Sequence, residues 1–378
     1  MDRTVSGHRG RTWSAATAAF LALIYLSGCA SLSDWRGARA PTPSDSFRLP
    51  PPGSDVVGRV QVTTARHEDT LLDIARRYDL GYEEIIAANP GVDPWLPGAG
   101  TRVVLPTQFV LPGGAREGLV LNLASMRLFY FPKPAPGEPA EVITHPIGIG
   151  REGWLTPQGT MHIIQKKEKP AWTVPESVRR EHAEQGETLP KIVPPGPDNP
   201  LGDFAMRLSN PSYLIHGTNQ PYGVGIRVSH GCVRLYPEDI ARLFPLVPMG
   251  TPVRIINEPY VAGWRDGQLY LEAHQPLAEE AKRWNGSLEP MERAVAAKAN
   301  GQSIGVSWDK AREVAREARG LPLPIGPGSP GIAELLAKAP QVPSVPPWAV
   351  PVEEAAEAVQ DAASADELAD NQGGLPPS

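Results

Sequence analysis

The sequence predicts a mainly β protein with a small α+β unit near its N-terminus and a flexible C-terminal extension. Short apolar segments of the alternating kind that is typical of strands recur between residues 114 and 257. A strand–helix–helix–strand pattern fills residues 59–106, and the chain beyond residue 321 is rich in Pro, Ala and acidic residues. With 378 residues, the chain is long enough for two compact domains and their linkers.

Residues 1–28 have the pattern of an export signal. A basic start is followed by an apolar run over residues 15–26, which is too short to span a bilayer comfortably. The run ends in Leu26-Ser27-Gly28-Cys29-Ala30, which resembles a bacterial lipobox, where the cysteine is acylated after cleavage. We therefore expect a periplasmic protein that is lipid-anchored through Cys29, on the outer membrane because Ala30 follows. An ordinary secretory peptide is the alternative.

The rest of the composition limits which partners the protein can bind and which covalent cross-links it can form. The net charge of −6 and the pI near 5.8 provide no global basic field, which argues against nucleic acid as a partner. The chain has only two cysteines, and an acylated Cys29 leaves no disulfide framework in an oxidising compartment. Residues 29–58 are rich in Pro, Ser and Arg, which predicts a flexible tether.

Residues 59–106 predict a compact unit. Residues 59–62 alternate like a strand, helices fit the apolar spacing after Thr70 and residues 82–88, and residues 103–105 form a closing strand. The unit resembles a LysM domain on three phrases: Asp69-Thr70-Leu71-Leu72-Asp73-Ile74-Ala75, Ala88-Asn89-Pro90 and Leu96-Pro97-Gly98. The resemblance implies binding of the N-acetylglucosamine-containing glycan of peptidoglycan. A small packing module without a ligand is the alternative.

Residues 114–257 predict a second, strand-rich domain. Residues 119–123 and 127–131 indicate a hairpin, and further apolar segments continue the pattern up to residues 253–256. The proline-rich stretch 169–202 is too long for an ordinary connection, which predicts a lid or a wall of a substrate site. A surface excursion with a structural role is the alternative.

The chemistry of this domain is concentrated in two short segments. They are Ile215-His216-Gly217-Thr218-Asn219 and Val228-Ser229-His230-Gly231-Cys232-Val233-Arg234. His216 and Cys232 are 16 residues apart, which is enough for a strand, a glycine-rich turn and a returning strand. A hairpin-like return would bring the imidazole beside the sulfur. A free thiol has a pKa of about 8.5, so we expect the imidazole to raise the thiolate fraction near neutral pH.

The residues around Cys232 extend this hypothesis of acyl transfer. Gly231 lets a substrate carbonyl approach the backbone, whose N–H groups would form an oxyanion hole, and Arg234 suits a substrate carboxylate. His230, two residues from Cys232, would face the same side of a strand, so the residues alone leave the choice of base between His216 and His230 open. A buried structural cysteine is the plain alternative. A zinc site requires three or four ligands, and only His216, His230 and Cys232 cluster here, so we predict no metal site.

The phrases Ile-His-Gly-Thr and Ser-His-Gly-Cys-Val-Arg resemble the signature of the L,D-transpeptidase catalytic domain, the YkuD family. With the LysM-like unit, they resemble its ErfK/YbiS-like branch. The resemblance implies a β-sandwich or barrel domain, with Cys232 as nucleophile, His216 as general acid/base and the Gly217 carbonyl orienting the imidazole. Residues of the same two phrases are predicted to shape the pocket (Ser229, His230, Gly231) or to contact substrate (Thr218, Asn219, Arg234). No cofactor is implied.

The implied reaction is an acyl transfer on peptidoglycan stem peptides. Cysteine attacks the bond between the L-centre of diaminopimelate and the terminal D-alanine of a tetrapeptide stem. The acyl group then passes to an amine, either the diaminopimelate of another stem or a lysine of an envelope protein. The alternatives are an L,D-carboxypeptidase that uses water, and a non-catalytic cell-wall-binding lipoprotein.

The C-terminal third is predicted to extend the catalytic domain. Residues 258–320 indicate a hairpin through Asp266-Gly267 and two helices, over residues 287–299 and 307–318. Residues 321–378 are predicted to be a disordered tail because they are rich in Pro, Ala and acidic residues.

Overall fold

The computed structural model describes residues 45–299 and 305–344. No helix in these two stretches is long and apolar enough to cross a membrane. The predicted signal peptide, Cys29 and residues 345–378 of the predicted tail lie outside the described residues.

The described chain is dominated by strands. The strands are β1 (Ser46–Arg48), β2 (Val56–Gly58), β3 (Gln61–Thr64), β4 (Arg102–Leu105), β5 (Gln108–Val110), β6 (Gly118–Asn122), β7 (Arg127–Phe131), β8 (Glu141–Pro146), β9 (Ile149–Gly150), β10 (Gly159–Glu168), β11 (Trp172–Thr173), β12 (Ile192–Val193), β13 (Phe204–Leu208), β14 (Leu214–His216), β15 (Arg227–Ser229), β16 (Val233–Arg234), β17 (Pro252–Ile256), β18 (Tyr260–Arg265), β19 (Gln268–Ala273) and β20 (Leu323–Pro324). The helices are α1 (Leu71–Arg77), α2 (Tyr82–Ala88), α3 (Glu176–Glu184), α4 (Pro237–Leu246), α5 (Ala278–Trp284), α6 (Glu289–Ala299), α7 (Trp308–Glu317) and α8 (Ile332–Ala337).

The N-terminal unit, residues 59–106, has the predicted order β3-α1-α2-β4, and its two strands pair antiparallel. Helix α1 begins at a capping box. The Asp73 backbone N–H donates to Thr70 Oγ1 over 3.1 Å, and the Thr70 N–H donates to the Asp73 carboxylate over 2.8 Å. The box satisfies two backbone donors at the start of α1, which is why the Asp69-Thr70-Leu71 phrase marks a helix start.

A large curled sheet forms the catalytic domain. Its strand order in the described chain is β1-β8-β7-β6-β17-β10-β13-β14-β16. β6 and β7 are the predicted antiparallel hairpin, β17 joins β6 in parallel, and β16 is the edge strand. The mainly β fold class is confirmed.

Strands β6 and β7 are buried on both faces, and their alternating residues serve two different cores. Leu119 and Leu121 belong to the core beneath α4, whereas Val120 packs with Leu71 and Ile74 of the N-terminal unit. Successive side chains of a strand point to opposite faces. The apolar run of β6 therefore reflects a strand that is covered on both sides.

The N-terminal unit touches the loop that connects His216 to Cys232. The Glu83 N–H at the start of α2 donates to the Gly225 carbonyl over 3.1 Å. Gly225 has φ +81°, and a Cβ there would lie 2.3 Å from the Tyr82 nitrogen. Only glycine fits this approach. Arg127 of β7 also bonds the Glu84 carboxylate, over 2.7 Å.

Two predicted flexible segments contain regular structure. Within the predicted tether, β1 pairs with β8 and β2 pairs with β5. Within the predicted tail, β20 pairs with β19, and residues 340–342 bond to Val62 of β3. Leu321, Leu323 and Ile325 are buried there. The prediction of disorder was therefore wrong for residues 321–344. The amino-acid composition of a segment does not reveal the apolar contacts that it makes with distant residues.

The elements found in residues 169–202 and 258–320 match the predictions in part. β18 and β19 form the expected hairpin through Asp266-Gly267, and α6 and α7 lie where two helices were expected. Helix α5 was not predicted. The stretch 169–202 contains β11, α3 and β12, of which the two strands pair with each other.

Candidate active site

His216 and Cys232 are brought together by two parallel strands. β14 ends at His216 and pairs with β16, with Ile215 opposite Val233 and His216 opposite Arg234. Cys232 immediately precedes β16. The expected hairpin-like return was therefore wrong, because the connecting loop crosses over through β15, which pairs instead with β9.

This register makes Arg234 a neighbour of both reactive side chains. Residues two apart on a strand point to the same face, so Arg234 and Cys232 share the face on which His216 lies. Arg234 is largely buried, and its Nε has no hydrogen-bond partner among the described residues. Its guanidinium lowers the pKa of His216 and offsets part of the rise that burial causes in the pKa of Cys232.

His216 is held by the backbone. Its Nδ1 lies 2.5 Å from the carbonyl oxygen of Gly217, the contact that the resemblance implied. A carbonyl only accepts, so Nδ1 carries the proton. Burial and then the Arg234 charge lower the pKa of His216 to about 3, although the Gly217 and Leu201 carbonyls offset part of this. His216 is therefore a neutral imidazole at pH 7, with its Nε2 lone pair available as a base.

The thiol of Cys232 is also uncharged at neutral pH. Burial raises its pKa, and a backbone hydrogen bond at Leu214 with the nearby Arg234 and Arg207 charges offsets only part of that. Sγ lies 3.9 Å from the Ser212 carbonyl oxygen. Burial thus opposes the increase in the thiolate fraction that we expected from the imidazole, because it disfavours the charged form of the thiol. The thiol proton must leave during attack.

The loop before Cys232 is braced by Ser229 and shaped by Gly231. The Gly231 N–H donates to Ser229 Oγ over 3.1 Å, and Ser229 Oγ donates to the Cys232 carbonyl over 2.5 Å. Gly231 has φ +101°, and a Cβ there would lie 2.8 Å from the Tyr213 ring. Glycine is therefore required at position 231, because any side chain there would clash with the Tyr213 ring. The Gly231 N–H donates to Ser229 Oγ and is therefore not free to contribute to the expected oxyanion hole.

Thr156 supports the same loop from the neighbouring segment. Its Oγ1 accepts from the Gly150 N–H over 3.0 Å and donates to the Gly231 carbonyl over 2.9 Å. Sequence reasoning assigned Thr156 no role at the site. The signal that could have found it is a threonine in a turn, where a hydroxyl can bond two backbone groups.

His230 faces the 169–202 insertion. Its Nε2 lies 3.0 Å from the Glu181 carboxylate on α3 and 3.1 Å from Arg151 Nη2, and its ring meets Trp154 edge-on at 4.8 Å. Arg151 also pairs with Glu181. Burial lowers the pKa of His230, and the Glu181 hydrogen bond offsets part of this. The insertion therefore contacts His230, which is two residues from Cys232.

Known proteins resemble the chain over this site and beyond it. The YkuD family pattern, described as the L,D-transpeptidase catalytic domain, matches residues 116–255. A Salmonella typhimurium protein named "Probable L,D-transpeptidase ErfK/SrfK" is 39% identical over 294 residues, which cover 76% of this chain and 93% of that protein. The chain belongs to the L,D-transpeptidase family.

Two further relatives come from Escherichia coli. "Probable L,D-transpeptidase YbiS" is 44% identical over 64% of this chain and 78% of that protein. "Probable L,D-transpeptidase YcfS" is 42% identical over 64% of this chain and 76% of that protein. These relatives place the chain in the ErfK-like branch and confirm the predicted enzyme class.

The remaining predicted residues of this L,D-transpeptidase family member have different surroundings. Thr218 is buried, and its hydroxyl is used within its own turn, where it accepts from the Gln220 N–H over 2.9 Å. Asn219 is exposed at the start of the connecting loop. Arg234 is the one of the three that combines burial, charge and proximity to Cys232 and His216.

Proposed function

We propose that the protein is a peptidoglycan L,D-transpeptidase with Cys232 as nucleophile and His216 as general acid/base. The observation that carries this proposal is the orientation of His216. The Gly217 carbonyl holds its Nδ1–H, and the parallel strand beside it presents Cys232. Family membership supplies the reaction class.

The first half-reaction follows from these two neutral side chains. Nε2 of His216 takes the thiol proton as Sγ attacks the carbonyl between diaminopimelate and D-alanine. The C–N bond then breaks, the imidazolium returns the proton to the leaving amine of D-alanine, and a thioester to Cys232 remains. Arg234 is placed to pair with a carboxylate of the donor stem.

The second half-reaction reverses these roles. An acceptor amine attacks the thioester, His216 takes the proton of that amine, and the sulfur leaves as the thiol of Cys232. Water as the acceptor would give the carboxypeptidase reaction. Diaminopimelate of another stem and a lysine of an envelope protein are the two amines that we propose.

We further propose that the N-terminal unit binds peptidoglycan glycan as a LysM module. Trp95 and Leu96 lie on the loop between α2 and β4, and they are 60% and 79% exposed. The Asp93 carboxylate fixes this loop by accepting from both of their N–H groups, over 2.8 and 3.0 Å. An exposed indole on a fixed loop suits stacking on a sugar ring.

The proposed location is the periplasm, with a lipid anchor at Cys29 in the outer membrane. The lipobox-like Leu26-Ser27-Gly28-Cys29 phrase supports the anchor. Replacement Cys29→Ala should release the protein into the soluble fraction of cells. If the variant stays with the membrane fraction, the anchor is not at Cys29.

The catalytic proposal is tested by incubating the purified full chain with tetrapeptide muropeptides and analysing the products by mass spectrometry. Dimers joined between diaminopimelates are expected, with release of D-alanine. Tripeptides alone would establish the hydrolase, and unchanged substrate would contradict both reactions. The matched control is Cys232→Ala, in which D-alanine release should fall by about 10⁴-fold or more.

A further inference from the structure

A buried cluster of four ionisable side chains lies between the N-terminal unit and the catalytic sheet. We call it the junction cluster: Asp45, which precedes β1; Asp79, which follows α1; His145 of β8; and Asp239 of α4. Their exposed fractions are 5%, 9%, 1% and 1%. The cluster shares no residue with the Cys232 site.

The geometry of the cluster suits a bound cation. One possible ligand atom from each of Asp45, Asp79 and His145 lies within 4.8 Å of the other two. Nδ1 of His145 is 3.1 Å from the Asp79 carboxylate and 3.6 Å from that of Asp239. Bonds of about 2.0–2.2 Å hold the ligands of a metal ion roughly 3–4 Å apart, so a small contraction would complete such a site.

Four polar atoms of the cluster lack partners. They are Asp45 Oδ1, Asp79 Oδ1, Asp239 Oδ2 and His145 Nε2, none of which has a hydrogen-bond partner among the described residues. Buried polar atoms are nearly always bonded. The carboxyl groups of Asp79 and Asp239 share a hydrogen bond with each other, whereas the unbonded Asp45 oxygen and His145 nitrogen indicate a ligand that bonds to both kinds of group.

Carboxyl groups outnumber the basic groups that contact them in the cluster, although burial raises the pKa of Asp79 to about 7 and that of Asp239 well above its usual range. Three carboxylates face one guanidinium, that of Arg242, which lies 3.0 Å from Asp45 and 2.8 Å from Asp239. Arg127 is nearby but is paired with Glu84 over 2.7 Å. Buried charges are costly unless they are compensated. A divalent cation would supply two positive charges at once.

We propose that the junction cluster binds one divalent first-row transition-metal ion through Asp45, Asp79 and His145, with Asp239 beside it. Carboxylate and imidazole ligands suit Mn²⁺ and Zn²⁺. The ion is structural, because its ligands are buried and come from different parts of the chain. It fastens Asp79 of the N-terminal unit and Asp45 of the preceding segment to β8.

The test uses Mn²⁺ and the purified full chain, because Mn²⁺ has little affinity for thiols and Cys232 then does not interfere. The chain is stripped with EDTA, titrated with MnCl₂ and followed by the electron paramagnetic resonance signal of free Mn²⁺. Binding of about one Mn²⁺ per chain is expected, with a rise of about 5 °C in the unfolding midpoint at saturation.

The variants Asp79→Asn and His145→Gln should each weaken Mn²⁺ binding by at least about tenfold. Asp79 has φ +54°, a conformation that asparagine tolerates, so the fold should survive its replacement. The matched control is His162→Gln on the exposed side of β10, which should bind as the natural chain does. Circular dichroism checks that each variant is folded.

Two results would overturn the proposal. One is the absence of Mn²⁺ binding and of any change in the unfolding midpoint when Mn²⁺ or Zn²⁺ is added, in which case protons balance the charges of the cluster. The other is binding that persists unchanged in both folded variants, which would place the ion elsewhere.

Discussion

The strand edge that carries His216 and the loop that carries His230 hold their imidazoles in different ways. His216 is bonded at Nδ1 by the neutral backbone carbonyl of Gly217, so its lone pair is on Nε2. His230 has the charged side chains of Glu181 and Arg151 within 3.0 and 3.1 Å of its Nε2, which can donate to the first or accept from the second. A backbone partner fixes the tautomer without consuming the basic nitrogen. We therefore propose that His216 transfers the proton and that His230 contacts the 169–202 insertion.

The strongest test of the difference between His216 and His230 is to replace each histidine with glutamine. His216→Gln should lower the first-turnover release of D-alanine by about 10³-fold, because it removes the base. His230→Gln should lower it by less than about tenfold, since only a contact is lost. Rapid-quench mass spectrometry of the acyl-enzyme measures both rates. Equal losses would refute the assignment.

A second prediction tests the bracing of the Cys232 loop. Thr156→Val removes both bonds of the hydroxyl and leaves two buried backbone groups unpaired, which costs roughly 1–3 kcal/mol each. We expect kcat to fall by about 10- to 100-fold with KM nearly unchanged, since Thr156 positions the nucleophile. Thr160→Val, at an exposed position of β10, is the matched control. A change in the unfolding midpoint alone, with normal kcat, would show a purely structural role.

The smallest expected effect concerns the insertion. Glu181→Gln weakens its bonds to His230 and Arg151, and we expect KM for the donor to rise by about three- to tenfold with kcat retained. The exposed Glu184 lies on the same helix, and Glu184→Gln should leave KM unchanged. If both variants behave alike, α3 does not contribute to the substrate site through Glu181.

Local patterns predicted the parts of the fold that depend on neighbouring residues. The β6–β7 hairpin, the helix after Thr70 and the turn at Asp266-Gly267 are all encoded within a few residues. The Cys232 and His216 segments were found in the same way, because their residue types carry the chemistry. Long-range pairing was not predictable, since a separation of 16 residues fits both a hairpin and the observed parallel pair.

Contacts between distant segments escaped prediction for the same reason. Nothing in the local sequence indicates that Glu181 reaches His230, 49 residues away. Nor does it show that Gly225 is glycine because the Gly81-Tyr82 backbone lies against it. The neutral state of the Cys232–His216 pair also depends on burial, which only the folded chain supplies.

The central claim is that His216 is a neutral imidazole whose proton is on Nδ1. Long-range ¹H–¹⁵N correlation spectra of the histidine-labelled full chain test it directly, with the His216 signals identified by their loss in His216→Gln. Because burial lowers the pKa of His216 to about 3, its neutral form should persist from pH 8 down to pH 5. We predict the Nδ1–H tautomer and unchanged shifts over that range. A titration with a midpoint near 6.5, or a proton on Nε2, would contradict the account.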